Sequence, residues 1–177
     1  MARLSRPPVL VLGLGNELMR DDGVGVHAVR ALAAEKPHGV ETLEIGTAIL
    51  DALGPMERAR AVIALDAVDA GYPPGTLLRV SPEDIGRAAA PASLHELDLP
   101  ALLQMMPEGS RPPVIVLGVQ PGTIAPGLEL SREVQCALPH LLAEVRSTIG
   151  SMQRDLLAAA DGRAVGARQG EDLPGGC

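Results

Sequence analysis

Asp21 and Asp22 close a glycine-rich turn, Gly13-Leu14-Gly15-Asn16-Glu17-Leu18-Met19-Arg20-Asp21-Asp22-Gly23-Val24-Gly25, at the place where an α/β chain often carries a phosphate-binding loop. Such a loop offers backbone N–H groups to an anion, whereas two adjacent carboxylates repel an anion and attract a cation. A third acidic residue, Asp66, ends the apolar run from Ala61 to Leu65, and His95 follows a stretch of small residues from Ala88 to Ser93. Two carboxylates and an imidazole form an oxygen and nitrogen donor set for a borderline divalent ion, with positions left for substrate or water. The same side chains also fit structural duties: Asp21 or Asp22 capping a helix, Asp66 holding loop amides, His95 capping or packing near a helix start. Residue types and spacing leave both readings open.

The elements that must position these residues are legible as alternating apolar runs and helical periodicities. Strands are expected at Val9 to Leu14, Val40 to Ile45, Ala61 to Leu65, Thr76 to Val80 and Val114 to Val119. Helices are expected at Val24 to Leu32, Leu50 to Glu57 and Leu97 to Met106, and from Ser131 to about Ala160 with a kink at Pro139 and a break at Gly150. Ser81-Pro82-Glu83-Asp84 reads as a capped helical turn. Strands alternating with helices predict a single α/β domain over residues 1–160, a mainly parallel twisted sheet of about five strands sandwiched between helices. The short turn Tyr72-Pro73-Pro74-Gly75 leaves the fourth strand free to run antiparallel. The polar, Gly-rich stretch 161–177 is expected to be a disordered tail. Parallel strands end on one edge, so Asp22, Asp66 and a loop bearing His95 can meet there.

Composition narrows the function. A chain of 177 residues with 46% hydrophobic residues, one Tyr and no Phe or Trp needs an aliphatic core. A formal charge of -7 and almost no aromatic side chains argue against nucleic acid. Nothing approaches the roughly 20 apolar residues of a membrane span, and no signal peptide is read at the amino end. A cytoplasmic monomer is the expectation. Cys136 and Cys177 form no C-x-x-C pair, so both are expected to stay reduced, with Cys136 in the core. There is no G-x-S-x-G elbow, no H-E-x-x-H helix and no G-x-x-x-x-G-K-S/T loop. A dinucleotide fingerprint fails too, because Leu18 stands where its third glycine belongs.

Five blocks taken in order carry a resemblance: Gly13-Leu14-Gly15-Asn16, Asp21-Asp22-Gly23-Val24-Gly25-Val26, Ile63-Ala64-Leu65-Asp66-Ala67-Val68-Asp69, Ser93-Leu94-His95-Glu96-Leu97 and Leu117-Gly118-Val119-Gln120-Pro121. Over roughly residues 8–150 the chain resembles the nickel-iron hydrogenase maturation endopeptidases. That resemblance implies a protease that trims the carboxyl-terminal extension of the hydrogenase large-subunit precursor after nickel insertion. It matches Asp22, Asp66 and His95 to the family's metal-contacting positions, with the nickel presented by the substrate, and leaves Asp21 to shape and cap the turn. Where the family tends to show Asp-Gly-Gly-Thr, this chain has Glu44-Ile45-Gly46-Thr47, which puts the substrate-positioning role of that loop in question. Glu17, Asp69, Glu96 and Asp98 lie near the expected site, while His27, His38 and His140 read as structural or solvated. Two alternatives use the same three ligands: a non-catalytic nickel-binding assembly chaperone, and a resident-metal hydrolase of another substrate.

Overall fold

A computed structural model of the chain describes residues 9–82, 84 and 99–160. Five strands form one sheet in the order β2-β1-β3-β5-β4, where β1 is Val9–Leu14, β2 Val40–Gly46, β3 Val62–Ala67, β4 Leu77–Val80 and β5 Val114–Val119. β1 pairs with β2 and β3, and β3 with β5, all in parallel. Only β4 is antiparallel, on the outer side of β5. The helices are α1 (Val24–Glu35), α2 (Leu53–Arg58), α3 (Leu99–Met105) and α4 (Arg132–Ala160). The fold is the expected α/β sandwich.

The sequence of β1 explains its central place. All six of its residues are buried, as an unbroken apolar run requires when both faces of a parallel sheet are covered. Val9 and Val11 pack with Ile63, Leu65 and Leu117 against α1 and α4, while Leu10, Leu12 and Leu14 face a second layer with Met56 and Leu102 from α2 and α3. Both layers are aliphatic, as the composition demands.

β4 runs backwards for a topological reason. Its connection from β3, residues 68–76, stays at the carboxyl edge, so the strand must start at that edge and return. The turn is fastened by the Thr76 N–H and hydroxyl, which donate to the Pro73 carbonyl at 3.1 and 2.6 Å.

The break expected at Gly150 does not occur. α4 continues for 29 residues through Pro139 and Gly150. A proline in a helix interior costs about 3 kcal/mol, but Val134, Ala137, Leu141, Val145, Ile149 and Met152 bury one continuous face of α4 and hold it. Cys136 lies off that face and is exposed, not in the core. Ser81 and Asp84 do form a capped turn, with the Ser81 hydroxyl donating to Asp84 Oδ2 at 2.8 Å. No helix among the described residues is long and apolar enough to cross a membrane. The expected tail at 161–177 and the loop 88–93 lie outside the described residues.

Candidate metal and substrate site

β1 feeds α1 and then β2 on one side, whereas β3 pairs on the other side of β1. The strand order therefore reverses between β1 and β3, the place where open α/β sheets bind ligands. The turn after β1 carries Asp22, and Asp66 is the penultimate residue of β3. Topology thus brings together two carboxylates that are 44 positions apart in the chain.

Gly15 is the spacer between them. Its φ is +101°, and a Cβ there would lie 1.8 Å from the Asp22 carbonyl oxygen and 3.4 Å from Asp66 Oδ1. Only glycine supplies that backbone conformation and leaves that room. Asp22 is 7% exposed, and its Oδ2 accepts the Asn16 N–H at 2.8 Å. The helix it precedes has no side-chain cap, so the capping role considered for Asp22 is not the one it fills. Asp66 Oδ1 accepts the Ala67 N–H at 2.8 Å.

Asp66 keeps some exposure at the rim, but dense protein around its carboxyl removes most solvation. That burial, and next the negative charge of Asp22, push its pKa up to about 7, with only the Ala67 N–H opposing. A carboxyl driven toward its protonated form by burial and a neighbouring carboxylate is chemically suited to a cation, which would offset both effects. His95 lies outside the described residues, as do Glu96 and Asp98. Among the described residues no group of three or more His, Cys, Asp or Glu side chains gathers to hold a metal.

Asp21 departs from expectation. It does not cap its own turn; its fully buried carboxylate turns away and accepts N–H bonds from Gly122 (2.9 Å), Thr123 (2.7 Å) and Ser131 (2.6 Å). Burial alone would raise its pKa, but the Ser131, Thr123 and Gly122 bonds outweigh it and hold the carboxyl below the usual value. Gln120, quoted above only as part of a motif, is a second buried hub. Its Oε1 accepts the Ala70 and Tyr72 N–H groups at 2.8 and 3.2 Å, and its Nε2 donates to Asp69 Oδ1 at 2.9 Å. Asp69 is therefore engaged in holding the loop after β3. Nothing in the local sequence pointed to partners some 50 and 100 residues away.

The remaining polar residues are structural. Arg30 on α1 binds Glu44 at 2.8 Å and Glu17 at 3.2 Å, joining the end of β2 to the turn after β1. His38 and His140 are exposed, and His27 is half-buried, with no hydrogen-bond partner for its Nε2 among the described residues. The departure at Glu44-Ile45-Gly46-Thr47 is absorbed locally. The β1–β2 register slips at Ile45, and the left-handed turn falls on Gly46 (φ +58°), so Ile45 needs no glycine-like backbone. With its carboxylate taken by Arg30, Glu44 is expected to be silent in the processing that the resemblance implies. Arg30→Met and Glu44→Gln should each cost less than about 1 kcal/mol, as exposed pairs do. Measured processing rates should stay within about twofold of wild type, whereas a tenfold loss in Glu44→Gln alone would return that residue to the substrate.

Fold and site together define an α/β domain with a crowded carboxylate pair at the switch point of its sheet. Residues 26–148 match the family described as hydrogenase maturation protease, a span that begins just after the Asp21-Asp22 turn. The chain is 33% identical over 156 residues to the hydrogenase expression/formation protein HupD of Thiocapsa roseopersicina, covering 77% of this chain and 69% of that one. It is 32% identical over 147 residues to the hydrogenase 2 maturation protease of Escherichia coli, covering 80% and 90%. The solved structure of the hydrogenase maturating endopeptidase HybD from E. coli superimposes with a TM-score of 0.72 at 30% identity, covering 81% of this chain and 93% of that one. A hydrogenase 2 maturation peptidase from a Thaumarchaeota archaeon superimposes at 0.64 with 36% identity, over 81% and 98%. This chain belongs to the hydrogenase maturation protease family.

Proposed function

We propose that this protein is an endopeptidase that removes the carboxyl-terminal extension of a nickel-iron hydrogenase large-subunit precursor once nickel is in place. The observation that carries this reading is the Asp22–Asp66 pair, two carboxylates crowded at the switch point of a chain of this family. Nickel arrives with the substrate, and Asp22, Asp66 and His95 complete its coordination. A nickel-free precursor brings no charge to offset the two carboxylates, so metal loading discriminates by electrostatics as well as shape. Hydrolysis then needs water, a proton acceptor and a proton for the leaving amine, and a carboxyl that titrates near neutrality can exchange that proton. Engaging the cation requires Asp66 to lose its proton, so recognition weakens as pH falls below about 7.

The surface around the pair supports a protein substrate. Of the seven exposed large hydrophobic side chains among the described residues, five (Leu18, Leu50, Tyr72, Ile124 and Leu128) lie in the connections that leave the carboxyl ends of β1, β2, β3 and β5. Exposed apolar groups along one edge of the sheet fit a surface that a protein covers. We place this activity in the cytoplasm, in keeping with the exposed, free Cys136 thiol.

The deciding experiment incubates the protein with nickel-loaded and nickel-free precursor and measures the intact mass of each. Loss of a carboxyl-terminal peptide from the loaded form only is expected, and Asp22→Ala, Asp66→Ala and His95→Ala should each abolish it without unfolding the chain. No cleavage of a precursor known to be cleavable would instead favour a nickel-binding assembly chaperone. Tight stoichiometric nickel binding by the isolated protein would favour a resident metal.

A further inference from the structure

Four buried polar or charged side chains occur among the described residues: Asp21, Asp22, Gln120 and Thr148. Asp22 belongs to the site and Thr148 to the middle of α4, which leaves Asp21 and Gln120. Each binds backbone far away in sequence, and both moorings involve the stretch from Gln120 to Ser131 that follows β5. From the turn after β1, Asp21 reaches the Gly122, Thr123 and Ser131 amides. The same turn is tied to that stretch by the Arg20 N–H on the Gly127 carbonyl at 2.9 Å and the Asp21 N–H on Thr123 at 3.2 Å. Gln120 holds the loop after β3 through Ala70, Tyr72 and Asp69.

We infer that Asp21 and Gln120 are positioning residues, which fix the separation and orientation of Asp22 and Asp66 by tying the turn that bears Asp22 and the loop that continues from the Asp66 end of β3 to one segment. The inference rests on Asp22 and Asp66 being the working pair proposed above. Two like charges in a poorly solvated site drive their loops apart, so a geometry that receives one cation must be imposed by the surroundings. Buried, multiply bonded side chains impose it well, because breaking any one bond leaves an unpaired group away from water. Asn at position 21 would keep one acceptor oxygen and turn an NH2 toward backbone N–H donors that need acceptors.

Asp21→Asn and Gln120→Leu are the tests, with Thr148→Val as a buried polar control on α4. Steady-state processing of nickel-loaded precursor is measured below each unfolding transition, alongside the amide resonances of Asn16 and Ala67. Those two amides donate to Asp22 and Asp66 and report where each carboxylate sits. Expected are a tenfold or greater fall in kcat with KM within about threefold, a moved Asn16 resonance in Asp21→Asn, and a moved Ala67 resonance in Gln120→Leu. Thr148→Val should lower Tm and leave kcat and both resonances alone. Lower Tm in the two test variants with wild-type kcat and resonances would overturn the inference. If Asp21→Asn does not fold, Asp21→Glu keeps the charge and displaces it by one methylene, with the same readouts. Should wild-type protein process no precursor, the functional reading fails, while the Asn16 and Ala67 resonances still decide the positioning roles.

Discussion

Asp66→Asn should stop processing and at the same time make the fold more stable above neutral pH. Asn keeps the acceptor for the Ala67 N–H but carries no charge for a cation and no basic oxygen for a proton. On the function proposed above, loss of a cation contact and of a group able to take a proton predicts a fall of roughly a thousandfold or more in kcat/KM. The stability effect follows from the pKa near 7 in the folded state against an ordinary 3.8. Between those values the folded protein holds a proton that the unfolded chain has released, so stability falls as pH rises. The penalty is absent below about pH 4, complete above about pH 7, and on the order of 2–4 kcal/mol. Asn never ionises and escapes it. Urea unfolding at pH 4.5 and pH 8 should show wild type losing stability relative to Asp66→Asn at the higher pH. Equal pH dependence in the two proteins would mean that Asp66 is solvated and ordinary.

Gly25→Ala should be among the most destabilising single-methyl additions in the chain. A Cβ at Gly25 would stand 2.1 Å from the Leu65 carbonyl oxygen and 2.5 Å from that of Leu14. Both obstacles are backbone of central strands and cannot rotate aside, so α1 must lift from the sheet, and the turn bearing Asp22 must move with it. A cost of about 3–5 kcal/mol, or failure to fold, is expected, which is a large part of the stability of a domain this size. Gly54 in α2 is the contrast, because its added Cβ would meet only the end of the flexible Arg58 side chain at 3.4 Å. Gly54→Ala should be neutral or stabilising by up to about 1 kcal/mol. Thermal unfolding of the two variants decides the matter, and equal Tm values would refute the close approach of α1 to β1 and β3.

The architecture was largely written in the sequence, because the signals were local. An apolar run buried on both faces reads as a central strand whatever surrounds it, and β1 and β5 begin and end where the runs do. Local signals failed where a long element overrides a weak breaker: α4 runs through Gly150 because its buried face, not its propensity, holds it. Cys136 was misplaced for a related reason, since one residue's shift around a helix exchanges core for solvent.

What the sequence determined by itself is the set of candidate groups, Asp22, Asp66 and His95, and aliphatic strands able to build a parallel sheet. What tertiary structure decided is how those groups are used. Asp21 and Asp22 are neighbours of identical chemistry, yet one carboxylate sits close enough to Asp66 to raise its pKa and the other is spent on the Gly122, Thr123 and Ser131 amides. Similarly, Asp66 titrates near 7 only because burial and Asp22 surround it. These properties depend on groups brought together across 40 to 110 positions of chain, and no local pattern encodes the distance between them.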